Sequence, residues 1–276
     1  MTTPDIRLLA LDLDGTVFTD DKKITDITRA ALRKAIEKGV VVMPATGRPL
    51  SGLPEQFVEM EGVNYALTSN GAAIWDLQKN EKIVSLPFTT QQTLQAMHLM
   101  KPFECMLDVY FDGKVYTSPE NIGNVERFAP PEMVEYVKKT RIPVENLEQY
   151  IQENGLCAEK VTMFFFDPVQ QQQATELANR KDWIEASSSV ANNLELNAAG
   201  VNKGEGLRRL AEFFGITIEQ VMACGDGGND IAMLKAAGLG VAMENASEQV
   251  KAAADVVTLS NQQNGVAHAI ETYILK

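Results

Sequence analysis

The order of apolar and polar positions divides the chain into three stretches with two different rhythms. In the first, Ile6-Arg7-Leu8-Leu9-Ala10-Leu11 is a short apolar run, enough for one buried strand. After a polar loop, Thr25 is placed to cap a helix, and Ile27, Ala31, Leu32, Ala35 and Ile36 fall at helical spacing until Gly39. Val40-Val41-Val42-Met43 is a second continuous apolar run, the pattern of a strand covered on both faces. A helical stretch from Gly52 to Glu61 and a strand from Tyr65 to Thr68 complete β-α-β-α-β. That alternation predicts a parallel, doubly wound sheet.

The rhythm then breaks. Ala72 to Trp75 and Lys82 to Leu86 read as a hairpin around Gln78-Lys79-Asn80. A helix follows at Thr90 to Met100, then paired strands at Cys105 to Phe111 and Lys114 to Thr117, a strand at Lys160 to Phe166 and a Gln-rich helix at Val169 to Asn179. Clustered strands beside fewer helices suit an α+β module. After Leu194-Glu195-Leu196 the first rhythm returns. Leu207, Leu210, Ala211 and Phe214 form a helical stripe ending at Gly215; strands follow at Val221 to Cys224, Gly240 to Met243 and Val256 to Leu259, with helices at Ile231 to Ala237 and Glu248 to Ala253 between them. The expected architecture is a doubly wound, Rossmann-like α/β core at residues 1–85 and 190–276, split by an inserted α+β cap at 86–189.

Composition narrows the partners. With 45% apolar and 22% charged residues the chain is an ordinary globular protein. A formal net charge of −12 opposes binding to nucleic acid or an anionic membrane, so an anionic substrate needs local cations. Cys105, Cys157 and Cys224 are odd in number and lack metal-ligand spacing, which suits a reduced cytoplasm. The start, Met-Thr-Thr-Pro-Asp, has no basic flank before an apolar segment. No stretch approaches the ~20 apolar residues of a membrane span, so a soluble, cytoplasmic protein is expected, monomeric or homodimeric.

The chemistry gathers at the ends of the strands, where open α/β sheets bind ligands. Asp12 and Asp14 follow the first strand, Thr46-Gly47-Arg48 the second, Ser69-Asn70-Gly71 the third, Gly225-Asp226-Gly227-Gly228-Asn229-Asp230 the next and Asn245 the one after, while Lys203 opens a helix that reaches the same edge. Two carboxylates at ~4 Å and an effective dielectric of ~20 repel by roughly 4 kcal/mol, so Asp12 and Asp14 call for a cation or a retained proton. The set suits phosphoryl transfer. Asp12 can serve as nucleophile, forming an aspartyl-phosphate, and Asp14 as the acid that protonates the leaving alkoxide and then the base that activates water. Asp226 adds oxygen for a hard cation such as Mg²⁺, Thr46 a hydroxyl, Lys203 a fixed charge, and Gly47, Gly227 and Gly228 close backbone approach.

These motifs, in this order, resemble those of the haloacid dehalogenase superfamily: Asp12-Leu13-Asp14-Gly15-Thr16, Thr46-Gly47-Arg48, Asn202-Lys203-Gly204 and Gly225 to Asp230. Ser69-Asn70-Gly71-Ala72 and Val241-Ala242-Met243-Glu244-Asn245-Ala246 resemble its Cof-like, type IIB branch, phosphatases with a cap inserted between the second and third motifs. The resemblance covers Ile6 to Ser85 and Asn192 to Lys276, and the cap by position alone. It implies Mg²⁺ on Asp12, the Asp14 backbone carbonyl and Asp226. It implies Thr46, Lys203 and Asn229 on the phosphate, with Asp230 orienting Lys203 or a metal-bound water, and it lends Asn70 and Asn245 supporting places.

The expected activity is therefore Mg²⁺-dependent hydrolysis of a small phosphomonoester, a sugar phosphate or a phosphorylated cofactor. One rival is a phosphomutase on the same scaffold; another is a phosphoreceiver signalling domain, against which Asp14 and the large insertion both argue. An isolated Asp-X-Asp is ordinarily a solvated turn, and only the matching Thr46, Lys203 and Asp226 lift this one out of that class. Arg48 binds substrate or makes a salt bridge. His98, His268 and Cys224 read as structural, Met97, Met100, Met106, Met163 and Phe164 to Phe166 as cap core, and Lys138, Lys139 and Arg141 as a solvated basic run.

Overall fold

The computed structural model describes residues 5–276. In chain order the first strands are β1 (Leu8–Leu11), β2 (Val41–Pro44), β3 (Tyr65–Thr68), β4 (Ala73–Asp76) and β5 (Glu81–Ser85). The insertion carries β6 (Cys105–Phe111), β7 (Lys114–Thr117), β8 (Arg141–Pro143), β9 (Lys160–Phe165), β10 (Ile184–Ser187) and β11 (Asn193–Ala198), and the chain ends with β12 (Val221–Gly225), β13 (Leu239–Ala242) and β14 (Val256–Val257). Two compact units result: residues 1–47, 53–84 and 202–276 form one, and 48–52 with 85–201 the other.

The first unit holds a parallel sheet in the order β14-β13-β12-β1-β2, covered on both faces, and a separate sheet β3-β4-β5 in which β3, expected in the parallel sheet, pairs antiparallel with β4. Alternation along the strands assigns the two faces. Leu9, Leu11, Val42, Met222, Cys224 and Val241 pack with Ala31 and Leu32 of the helix Asp26–Glu37 and Ala269 and Ile270 of the helix Gly265–Tyr273. Leu8, Ala10, Met43, Val221 and Ala223 pack instead with Leu207 and Leu210 of Lys203–Phe214 and Leu234 of Ile231–Ala236. A leucine here is wholly buried and worth about 2–5 kcal/mol against alanine. Thr25 caps its helix by accepting from the Thr28 amide, as expected. Ile27, placed on the apolar stripe by spacing, is instead exposed, and Thr28 takes the buried position. The stretch expected to be helical from Gly52 to Glu61 holds a short α-helix at Glu55–Val58, after the turn Leu50–Gly52, because Pro54 lacks an amide hydrogen and bars helix at the residue before it.

The second unit is a six-stranded sheet in the order β10-β11-β9-β6-β7-β8. Its sequence boundary at 189/190 needs moving: β11 pairs antiparallel with both β9 and β10, so the return to the first unit comes at Asn202. One sheet face is apolar, with Val109, Phe111, Val161, Met163 and Leu196 against Met97, Met100, Ile151 and Ala174 of the flanking helices. Phe166, expected in this core, lies one residue past β9 and is exposed. The other face carries Asp108, Tyr110, Lys160, Thr162 and Glu195, all buried. Arg141, expected in a solvated run, is buried with them. Its Nε donates to Asp108 Oδ2 at 2.8 Å, which satisfies a charge that could not be left alone there. Among the described residues no helix is long and apolar enough to cross a membrane.

Candidate active site

The carboxyl ends of β1 and β12, adjacent in the sheet, set the site. The Asp12 amide donates to the Cys224 carbonyl, extending the ladder by one residue beyond β1. The chain then wraps the Leu13 carbonyl, which accepts from the amides of Thr16, Val17 and Phe18. That tight loop needs Gly15, which has φ +81° and whose added Cβ would stand 2.2 Å from Asp226 Oδ2.

Lys203 is the centre of the charge arrangement. Its Nζ, fully buried at the first turn of Lys203–Phe214, donates to Asp12 Oδ1 and Asp230 Oδ1, each at 2.6 Å. Burial opposes its charge, but Asp12 and Asp230 outweigh burial and hold its pKa above the ordinary lysine value. The other Asp230 oxygen accepts from the amides of Asp226 and Gly227 at 2.9 and 2.8 Å, so Asp230 is fully engaged in fixing Lys203 and the loop after β12. Asp226 Oδ1 accepts from the Thr16 hydroxyl at 2.6 Å, a contact between the first and last motifs.

Oxygens of Asp12, Asp226 and Asp230 lie within 4.8 Å of one another. Burial first, then the charge of Asp230, pushes the Asp12 pKa well above the carboxylate range against the pull of Lys203. The same two causes push Asp226 up to about 7, with Thr16 opposing. An all-oxygen set in which Asp12 and Asp226 resist ionising is the donor chemistry a hard cation satisfies. Since both Asp230 oxygens are already bonded, Asp12 and Asp226 are the members with capacity left for one.

The carboxylates expected to crowd each other were Asp12 and Asp14, and the structure differs. The strand has already ended, so period-two alternation no longer governs them. Asp14 Oδ1 pairs with Lys22 at 2.9 Å on the surface, while Asp12 pairs with Lys203 inside. Asp14 nonetheless contributes repulsion at Asp226. Its side chain is 38% exposed.

Thr46 and Gly47 follow β2; Thr46 is buried, with its amide on the Leu67 carbonyl and its carbonyl accepting from the Asn70 amide. Asn70, held at φ +59°, accepts through Oδ1 from Asn229 Nδ2 at 3.1 Å, which joins the loop after β3 to the last motif. Beside it Gly71 has φ +96°, and an added Cβ would meet the Asn202 carbonyl at 2.4 Å. Asn245 donates to the Gly15 carbonyl and accepts from the Asn261 amide, bracing the first loop. Arg48 falls in the second unit, donating to the Gly52 carbonyl with its guanidinium over the Tyr136 ring. Thr16, Lys22 and Asn261 were not singled out from the sequence. Thr16 sits inside the first motif, and only its distance to Asp226 reveals its part.

A family model for haloacid dehalogenase-like hydrolases matches residues 9–270. The chain belongs to that family. It is 34% identical, over 98% of this chain and 97% of the relative, to the 5-amino-6-(5-phospho-D-ribitylamino)uracil phosphatase YcsE of Bacillus subtilis. It is 29% identical to the pyridoxal phosphate phosphatase YbhA of Escherichia coli, over 100% of both chains. The solved structure of a subclass IIB sugar phosphatase of the same superfamily superposes with a TM-score of 0.79 at 25% identity, over 97% of this chain and 98% of that one. The chain is thus a phosphatase of the Cof-like branch, with an α/β fold and a separate sheet-bearing insertion.

Proposed function

We propose that this phosphatase acts in the cytoplasm on a small phosphomonoester, a sugar phosphate or a phosphorylated cofactor, through an aspartyl-phosphate on Asp12, with Mg²⁺ as cofactor. The observation that carries this is Lys203 bridging Asp12 and Asp230 at 2.6 Å beside Asp226. Two buried carboxylates and a half-buried one around one lysine leave an excess of negative charge that suits a divalent cation and a phosphate together. Asp12, Asp226 and the Asp14 backbone carbonyl would hold Mg²⁺, which when bound neutralises phosphate charge and favours attack by an anion.

The chain's own groups do the rest. Asp12, kept in place by Lys203, attacks phosphorus through a carboxylate oxygen. Lys203, Thr46, Gly47 and Asn229 bind the phosphate oxygens, Asn229 oriented by Asn70. Asp14 protonates the departing oxygen and then takes a proton from the water that cleaves the acyl-phosphate. Asp230 orients Lys203, and Asn245 steadies the Gly15 loop. Residues 5–47, 53–84 and 202–276 supply this chemistry in the proposal, and the insertion selects the leaving group.

The test is release of inorganic phosphate from p-nitrophenyl phosphate with Mg²⁺ and after exhaustive chelation, beside product analysis on a hexose phosphate. Metal-dependent phosphate release with no isomer formed supports the reading. Full activity after chelation contradicts the metal assignment, and isomer in place of phosphate favours a mutase.

A further inference from the structure

We propose that Asn261 is a positioning residue for the acid–base step, holding the loop that presents Asp14 so that its carboxyl meets the departing oxygen. This deepens the phosphatase reading and rests on it. Asp14 lies in the loop between β1 and the helix Asp26–Glu37. Its pair with Lys22 is exposed on both members, and exposed pairs of this kind hold a geometry weakly. A misplacement of about 1 Å costs a proton-transfer group much of its effect, so the loop backbone has to be fixed from elsewhere.

Asn261 reaches that backbone at two carbonyls, one on the residue after Asp14 and one on a residue paired with it. Its Nδ2 donates to the Phe18 carbonyl at 3.0 Å and to Asp20 Oδ1 at 3.1 Å. Phe18 forms an isolated β-bridge with Asp14 and donates its amide to the Leu13 carbonyl, so a hold on Phe18 is a hold on the turn around Asp14. The Asn261 amide donates to Asn245 Oδ1 at 3.0 Å, and Asn245 Nδ2 donates to the Gly15 carbonyl at 2.8 Å. Hydrogen bonds from Asn261 and then Gln262 hold the Asp20 carboxyl below the ordinary carboxylate value, so it stays an acceptor at neutral pH.

The anchor is stiff. Asn261 is buried at the start of the turn Asn261–Gln263, which is closed by the amides of Gln263 and Gly265 on the Ser260 carbonyl and by the Thr258 hydroxyl on the Gly265 carbonyl. The helix Gly265–Tyr273 that follows buries Val266, Ala267, Ala269 and Ile270 in the core. Water could satisfy the same loop carbonyls without fixing where they sit. A buried amide on a rigid turn does both.

The test is how kcat/KM depends on the leaving group, because kcat/KM reports the transition state in which that group departs. Phenyl phosphate and p-nitrophenyl phosphate differ by one nitro group, and the first, with the poorer leaving group, needs the acid more. Both are assayed with Mg²⁺ for the wild type, Asn261→Ala, Asp14→Asn and the double variant, with thermal midpoints recorded. In Asn261→Ala the ratio of kcat/KM for phenyl to p-nitrophenyl phosphate should fall about fivefold, and in Asp14→Asn about tenfold. The double variant should fall no further than Asp14→Asn, because Asn261 acts through Asp14. An unchanged ratio in folded Asn261→Ala would overturn the inference, and so would a second loss of the same size added on top of Asp14→Asn. If Asn261→Ala does not fold, Asn245→Ala, at an exposed position, cuts the Gly15 contact alone. Its ratio should fall about threefold, and an unchanged ratio there would overturn the inference equally. An unchanged ratio in Asp14→Asn itself would instead overturn the acid assignment beneath it, which keeps the two failures distinct.

Discussion

At the scale of single residues, the site assigns different partners to two carboxylates that are near neighbours in sequence. Asp12 is buried against Lys203, and Asp14 reaches Lys22 at the surface. In the proposed mechanism the first is the nucleophile and the second passes the proton. Asp14→Asn should therefore slow an alkyl phosphate, whose leaving oxygen needs protonation, far more than an aryl phosphate, by a factor of about a hundred in the ratio of rates. Equal losses on both substrates in steady-state assays would assign Asp14 another task. The types and order of these residues were legible in the sequence, because Asp-X-Asp-Gly-Thr, Thr-Gly-Arg and Gly-Asp-Gly-Gly-Asn-Asp each stand at a strand end. Their pairing was not. Period-two alternation misplaced Asp14, since the strand stops at Leu11, and nothing local foretells that Thr16 will meet Asp226 across 210 positions.

Among the elements, those with strong caps and unbroken periodicity were read most closely. Lys203–Phe214 begins after Asn202, which accepts from the Glu205 amide, and ends at the left-handed Gly215, as its stripe implied. Thr90–Met100 likewise starts from Thr89 in a capping box with Gln92. The stretch from Gly52 to Glu61 is helical only over Glu55–Val58, because Pro54 limits the helix at its start regardless of apolar spacing. Residues 119–154, with short helices and a three-residue strand, offered too little repetition for any period to stand out. The insertion boundary slipped because β11 is an apolar–polar alternating strand that serves either unit by pattern alone; only pairing with β9 decides. Asn202 matters for more than its helix, since its carbonyl lies where a Gly71 side chain would stand. Gly71→Ala should thus lower stability by about 2 kcal/mol or more in urea unfolding, combining a strained φ with a steric conflict. A change below about 0.5 kcal/mol would show that the Asn202 turn yields easily.

For the molecule as a whole, the acid cluster should make stability depend on pH and, in the proposed reading, on Mg²⁺. The Asp226 pKa is raised from 3.8 to about 7, by burial and then by Asp230. A carboxyl raised on folding stabilises fully below its unfolded value, and that contribution is lost as pH rises through the folded one. Metal-free protein should therefore lose resistance to urea between about pH 5 and about pH 8, and Mg²⁺ should raise the midpoint more at the higher pH by replacing the proton. An equal Mg²⁺ effect at both would place the ion elsewhere. The division into two units was visible as a change of rhythm, and the burial of the second sheet's polar face was not. Asp108, Lys160 and Glu195 alternate with apolar residues as surface strands do, and only burial distinguishes them from a solvated face.

The central claim is that Asp12 accepts the phosphoryl group. It is tested most directly by acid-quenching the Asp14→Asn protein with Mg²⁺ and a radiolabelled aryl phosphate. In that variant a good leaving group lets the acyl-phosphate form, while its hydrolysis by water is slowed. Label should be recovered, labile to alkali and to hydroxylamine, on the peptide that contains Asp12, and should be absent when Asp12→Asn is added to the same chain. Turnover with no labelled protein at any quench time, or label on a different residue, would contradict the account.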